Sequence, residues 1–113
     1  MRLHFPALIG LAAVGCAYSS KVAPPVTLAM VSAAHGASAE TLSEGRRIFA
    51  GPCTACHAAD PVESRSPAEW RAVVDEMSLR TKLTADRRAA LLAYLLAAKA
   101  TRSEEHTSEL QSQ

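Results

Sequence analysis

One stretch of five consecutive residues has side chains that together could do chemistry: Cys53, Thr54, Ala55, Cys56 and His57. Their spacing is C-x-x-C-H, the attachment signature of c-type haem. Two thiols separated by two residues reach the vinyl groups on neighbouring pyrroles and form thioethers with them. His57 is then placed under the iron and ligates it axially. The motif therefore predicts one covalent haem c, attached to Cys53 and Cys56 and coordinated by His57.

Other chemistry is compatible with the same cysteines. A C-x-x-C pair can be a thioredoxin-like redox centre, but such a centre lies in a βαβ setting, and no strand pattern precedes Cys53. Half of a zinc site would need two further ligands, and His4, His35 and His106 all lie in the terminal segments. A structural disulfide in an oxidising compartment leaves His57 without a role.

A second axial ligand to the iron is predicted at Met77. Met1 and Met30 lie in the N-terminal segment, and residues 58–101 contain no histidine, so the rivals are Lys82 and an empty sixth position. Met77 ends an apolar stripe with helical spacing. A methionine paired with a histidine keeps the iron low-spin and raises its reduction potential, because the soft thioether favours ferrous iron.

Apolar side chains are expected to form the wall of the haem pocket. The residues predicted to line it are Trp70, Val74 and Leu83, joined by Phe49, Val73, Leu91 and Leu95. Four arginines are candidates to pair with the haem propionates: Arg46, Arg47, Arg65 and Arg71. An apolar wall would raise the potential further, since burial disfavours the additional positive charge of ferric haem.

The sequence around the motif predicts an all-α domain. Helical periodicity and breakers place three helices at about residues 41–50, 66–79 and 84–99. The predicted N-caps are Thr41, Ser66 and Thr84. We assign residues 40–101 to this domain. A core of that size usually needs a staple such as a disulfide or metal, and the haem would supply one.

The segment 1–39 is predicted to be an export signal and linker. Arg2 precedes an apolar stretch, and a second apolar stretch covers residues 26–34. Processing has two candidate points: a lipoprotein-type box that ends at Cys16, or cleavage after Ala39 at an A-x-A sequence. Either predicts an exported, periplasmic protein, lipid-anchored in the first case and soluble in the second.

The segment 102–113 has a different origin. Its residues from Arg102 to Ser112 resemble one reading frame of a common sequencing-library adapter. We therefore expect them to be non-native, to pack against nothing, and to leave His106 without chemistry.

Charge and hydropathy narrow the classes of partner. The chain carries 12 Lys and Arg against 11 Asp and Glu, with no run of like charge, which argues against a nucleic-acid partner. The sequence contains no run of about 20 apolar residues, so it predicts no membrane-spanning helix. The expected partner is another redox protein. We expect this chain to bind it either as a monomer or as a subunit of a redox complex.

Residues 41–100 resemble a minimal class I cytochrome c domain. The order of features is similar: a first helix with Gly45 and Phe49, then the haem motif, then a last helix with Tyr94. In that family the first and last helices cross closely, with a glycine on one and an aromatic residue on the other, and Gly45 and Tyr94 are the matching positions. The spacing from Trp70 to Met77 resembles a subgroup with a ligating methionine, although the glycine expected after Met77 is missing.

This resemblance implies a single-electron carrier and no enzymatic activity of its own. Two other functions stay open. The domain could be the electron-accepting subunit of a periplasmic dehydrogenase, whose catalysis would lie in the partner. Alternatively, it could be a haem-based gas or redox sensor with an open sixth position.

Overall fold

A computed structural model describes residues 22–56 and 58–112 of the chain, and this part is helical without strands. Its α-helices are α1 (Leu28–Ala33), α2 (Ala39–Ala50), α3 (Pro67–Thr81) and α4 (Ala85–Gln111). Two short 3₁₀ helices, Pro52–Thr54 and Val62–Ser64, lie between α2 and α3. The predicted all-α class is confirmed. The three predicted helices correspond to α2, α3 and α4, and α1 is an addition that the periodicity did not predict.

Helices α2 and α4 pack closely where Gly45 meets Tyr94. A Cβ atom on Gly45 would lie 2.6 Å from the Cβ of Tyr94 and would overlap the carbonyl oxygen of Ala90. Only a glycine permits the two backbones to come this close. The predicted meeting of Gly45 and Tyr94 is therefore confirmed.

The core joins α2, α3 and α4 through three aromatic rings. Phe49 meets the ring of Trp70 edge-on at 5.7 Å between centroids, and its centroid lies 6.2 Å from that of Tyr94. One face of α4 is fully buried, and its residues are Leu91, Tyr94, Leu95 and Ala98. Apolar positions at helical spacing on α4 therefore do form its core-facing surface.

The start of α2 differs from the prediction. Helix α2 begins at Ala39, and its N-cap is Ser38, whose Oγ accepts a hydrogen bond from the backbone N–H of Thr41 at 3.1 Å. Thr41 is already inside the first turn. The prediction of a cap at Thr41 is wrong because a second hydroxyl lies three residues upstream and takes the capping role first.

The other two predicted caps are confirmed. Ser66 and Glu69 form a capping box, with Glu69 N–H donating to Ser66 Oγ at 3.2 Å and Ser66 N–H donating to Glu69 Oε2 at 2.7 Å. The carboxylate of Glu69 has a lowered pKa because it accepts this backbone hydrogen bond. Thr84 Oγ1 accepts from the N–H of Arg87 at 3.3 Å and caps α4.

Helix α3 runs two residues past its predicted end near Leu79. It stops at Lys82, which takes the left-handed conformation with φ of 53°. The N–H of Leu83 donates to the carbonyl of Ser78 at 3.1 Å and closes the turn. Lys82 thus adopts the conformation that a glycine usually adopts, and Met77 lies inside a helix instead of before a loop.

Helix α4 continues well beyond its predicted end near Lys99. Residues 103–111 are helical and exposed to solvent. Arg102, however, forms an ion pair with Glu63 at 3.0 Å, so the expectation that the tail contacts nothing is wrong at this residue. No glycine or proline interrupts the tail, and an existing helix extends through such a sequence at low cost.

Residues 22–37, which lie in the range assigned to the leader and linker, pack against the core. Met30 on α1 is 2% exposed and belongs to the same apolar cluster as Tyr94. The apolar stretch here was too short to show helical periodicity, and its burial depends on α4, which follows it by more than fifty residues.

Candidate functional site

An apolar cavity of about 260 Å³ lies between the end of α2, the first 3₁₀ helix, α3 and the first half of α4. Its lining residues are Phe49, Cys53, Ala59, Asp60, Arg65, Trp70, Val73, Val74, Glu76, Met77, Leu91 and Leu95. The cavity is thus lined by one cysteine of the C-x-x-C-H motif, Cys53, and by the stripe on α3 that sequence analysis singled out. It is the candidate site.

Cys53 stands at the edge of this cavity, and a tight turn positions it. The 3₁₀ helix Pro52–Thr54 begins where Gly51 ends α2, and Thr54 Oγ1 donates to the carbonyl of Gly51 at 2.7 Å. The Cys53 thiol is half-buried, and this burial raises its pKa, so that it favours the protonated form. The Cys53 side chain thus lines the apolar space from its edge.

The second motif cysteine is placed differently. Cys56 is a free thiol, like Cys53, but it is exposed and does not line the cavity. His57 lies outside the described residues. The structure therefore brings one motif cysteine to the cavity and leaves the second one on the surface.

Met77 lines the cavity from α3 and is half-buried. Trp70, Val73 and Val74 line it from the same face of the helix. The stripe predicted from their spacing is therefore confirmed as one surface that faces the candidate site. Lys82, the rival ligand, is exposed and is not among the lining residues.

The predicted apolar wall is correct except at Leu83. Its six other members line the cavity: Phe49, Trp70, Val73, Val74, Leu91 and Leu95. Leu83 packs against the hydrophobic core but does not line the cavity. It lies beyond the left-handed turn at Lys82, and the extra length of α3 separates it from the face that carries Met77.

Trp70 is held firmly in the wall of the cavity. Its indole Nε1 donates to the carbonyl of Val62 at 2.9 Å in a buried hydrogen bond. Val62 is itself fully buried in the second 3₁₀ helix. Because the indole N–H is already paired with the backbone, Trp70 offers the cavity an apolar ring and no free donor.

Polar residues at the rim of the cavity complete the site. Arg65 pairs with Asp60, with Nη2 at 2.6 Å and Nε at 3.1 Å from Oδ2. The guanidinium carbon of Arg65 also lies 5.7 Å from the centroid of the Trp70 ring, within the range of a cation–π contact. Asp60 and Glu76 were not predicted, since an exposed acidic residue next to a helix gives no sequence signal of its own.

The structure separates the four arginines that sequence left equivalent, because Arg65 alone among them lines the cavity. Arg46 donates to the carbonyl of Ala23 at 3.0 Å. Arg47 pairs with Glu44 at 2.9 Å on the exposed face of α2. Arg71 lies on a different groove.

A larger recess of about 470 Å³ lies along the distal half of α4, lined by charged residues such as Arg102, Glu105 and His106. Among the residues that the structure describes, it is lined by neither motif cysteine and by no large apolar side chain. The recess follows from the exposed extension of the helix, so we assign the site to the smaller apolar cavity.

No protein-family model, curated protein or solved structure matches this chain. Among the described helices, none is long and apolar enough to cross a bilayer.

Proposed function

We propose that this protein is a single-electron carrier with one covalently bound haem c. In this proposal Cys53 and Cys56 form the thioethers, and His57 and Met77 are the axial ligands. The observation that carries the proposal is that Cys53 and Met77, which belong to different elements, line the same apolar cavity. Thioether attachment at one edge and a thioether ligand on the wall are what a haem in this space would require.

The residues present fit a haem in their chemistry. The donor set in the sequence combines two thiols, an imidazole and a methionine sulfur, and the wall of the cavity is aromatic and aliphatic. The cavity also reaches the surface, where Asp60 and Glu76 are exposed. Such an opening would leave one haem edge within reach of a redox partner.

When bound, the haem supplies a one-electron ferric–ferrous couple. The protein contributes the electrostatic environment of that couple. The sulfur of Met77 favours the ferrous state, and the apolar wall around Trp70 disfavours the additional positive charge of the ferric state. The packed helices α3 and α4 hold Met77 and the apolar wall fixed, so that little rearrangement accompanies electron transfer.

Arg65 is the residue that we assign to the haem carboxylates. Its guanidinium lines the cavity, and Asp60 and the Trp70 ring hold it in one orientation. A guanidinium with five donors can serve Asp60 on one edge and a second carboxylate on another. In this role Arg65 positions the haem and takes no part in electron transfer.

Covalent attachment tests the proposal directly. The protein is expressed with its leader in cells that contain a haem-attachment system, and haem is stained after denaturing electrophoresis. We expect the stain to stay with the polypeptide, because thioethers survive denaturation. The variant C53S/C56S should lose the stain entirely, since no thioether can form.

The matched control is Ala55→Ser, which changes a residue between the cysteines and keeps C-x-x-C-H intact. It should stain like the parent protein. His57→Ala should stain but lack the normal low-spin spectrum, because the proximal ligand is gone. A parent protein without any stain would rule out the haem carrier and return the C-x-x-C pair to redox or structural roles.

A further inference from the structure

We infer that residues 22–37 are retained in the mature protein as a structural part of the domain, so that the export leader ends before Val22. The inference starts from burial. Ala23 is 1% exposed and Met30 is 2% exposed, and both belong to the apolar cluster that contains Tyr94. A leader that is removed in export has no reason to share a core with the helices that remain.

Hydrogen bonds tie the same segment to α2 and α4. The hydroxyl of Tyr94, a fully buried residue, donates to the carbonyl of Pro24 at 2.7 Å. Arg46 on α2 donates from Nε to the carbonyl of Ala23 at 3.0 Å. Loss of the segment would remove both acceptors and expose the apolar surface around Tyr94 to water.

A cut after Ala39 would also damage the start of α2. Ser38 is the N-cap of this helix and Ala39 is its first residue. Export proteases act on the unfolded chain, so folding does not protect this position. The product, however, would lack the cap of α2 as well as Met30. A cut at the box that ends at Cys16 leaves every one of these contacts in place.

The retained segment also determines the place at which the part of the chain upstream of Val22 joins the domain. Pro24 and Met30 lie beside Thr101 and Glu105 of α4, whereas Leu95 is the last residue of α4 that lines the candidate haem cavity. The helical rise separates Leu95 from Thr101 by about 9 Å along α4. A tether that continues upstream of Val22 would start from residues that do not line the cavity.

The mass of the exported protein tests the inference, and it does so whether or not haem is attached. The full chain is expressed with export, recovered from the periplasmic and membrane fractions, and its N-terminus is determined by intact mass and terminal sequencing. We expect an N-terminus between residue 2 and Val22. An N-terminus downstream of Val22, or an uncut Met1, overturns the inference.

Two variants of α1 test the structural role separately. Met30→Ala empties a fully buried position, and Leu28→Ala on the same helix removes a side chain that is 87% exposed. We expect Met30→Ala to lower the midpoint of thermal unfolding of the exported protein by roughly 10 °C or more. Leu28→Ala should leave it nearly unchanged. Equal midpoints for the two variants would overturn the inference, because the segment would then not be part of the core.

Discussion

Met77 is, at the residue scale, a helical side chain that faces the candidate site without belonging to the buried core. It lies on the same helix face as Trp70 and Val74, yet it is half-buried where they are fully buried. A methionine that served only as filler would be expected among fully packed neighbours. Met77 is instead partly exposed and lines the cavity, so its ligand role can be tested by substitution.

Substitution of Met77 tests its ligand role. We expect Met77→Ala to lower the reduction potential by on the order of 100 mV, a fraction of the about 0.8 V range that axial ligands span. The vacant position should also bind carbon monoxide. Met77→His should restore a low-spin spectrum. Redox titration and absorption spectroscopy measure these effects.

The control for this prediction is Met30→Leu, which conserves an apolar side chain on α1 and removes a sulfur that does not line the cavity. It should leave the potential unchanged. If Met77→Ala kept the parent spectrum and potential, the sixth ligand would be Lys82 or absent. An absent ligand would favour the sensor function over the carrier.

At the scale of elements, the crossing of α2 and α4 depends on one missing side chain. A Cβ atom at Gly45 would overlap the backbone of Ala90 and lie 2.6 Å from the Cβ of Tyr94. The obstacles include backbone atoms of a long helix, which cannot rotate away as a flexible side chain could. Space for a methyl group at this position therefore requires the two helices to move apart.

Gly45→Ala is consequently expected to change the free energy of unfolding in the opposite direction to the same substitution at an ordinary helical glycine. In an open helix the change stabilises by about 0.5–1 kcal/mol. Here we expect destabilisation of about 1–3 kcal/mol, because the helices must separate. Denaturant unfolding of the parent and variant measures it.

Ser43→Ala, two residues earlier on α2 and only half-buried, is the control and should change the free energy of unfolding by about 0.5 kcal/mol or less. A stabilising Gly45→Ala would mean that α2 and α4 do not approach as closely as the structure has them.

At the scale of the whole molecule, the boundary of the folded unit at its C-terminal end lies close to residue 102. Thr101 is buried, with its Oγ1 donating to the carbonyl of Ala97 at 3.1 Å. Arg102 pairs with Glu63 at 3.0 Å. Residues 103–111 continue the helix but are exposed throughout.

Two truncations locate this boundary. A chain that ends at Arg102 should keep its free energy of unfolding within about 0.5 kcal/mol of the parent, because only exposed residues are lost. A chain that ends at Ala100 loses the buried threonine and the ion pair, and should be less stable by about 1 kcal/mol or more. Thermal unfolding of both chains measures the difference. A large loss from the first truncation would show that the adapter-like tail contributes to the native structure.

The sequence by itself determined the features that depend on near neighbours in the chain. The C-x-x-C-H motif, the caps at Ser66 and Thr84, and the stripe from Trp70 to Met77 all involve residues a few positions apart. A capping box or a helical stripe is completed within one or two turns. The close crossing at Gly45 followed only because the order of helices resembled a known family.

The tertiary structure alone decided what depends on contacts between distant elements. Arg65 was one of four equal arginines until the fold placed it on the cavity, and Leu83 was excluded only by the turn at Lys82. The hydrogen bond from Tyr94 to Pro24 spans 70 residues. No local pattern encodes such a contact, because the burial of the N-terminal segment is fixed by the helices against which it packs and not by its own periodicity.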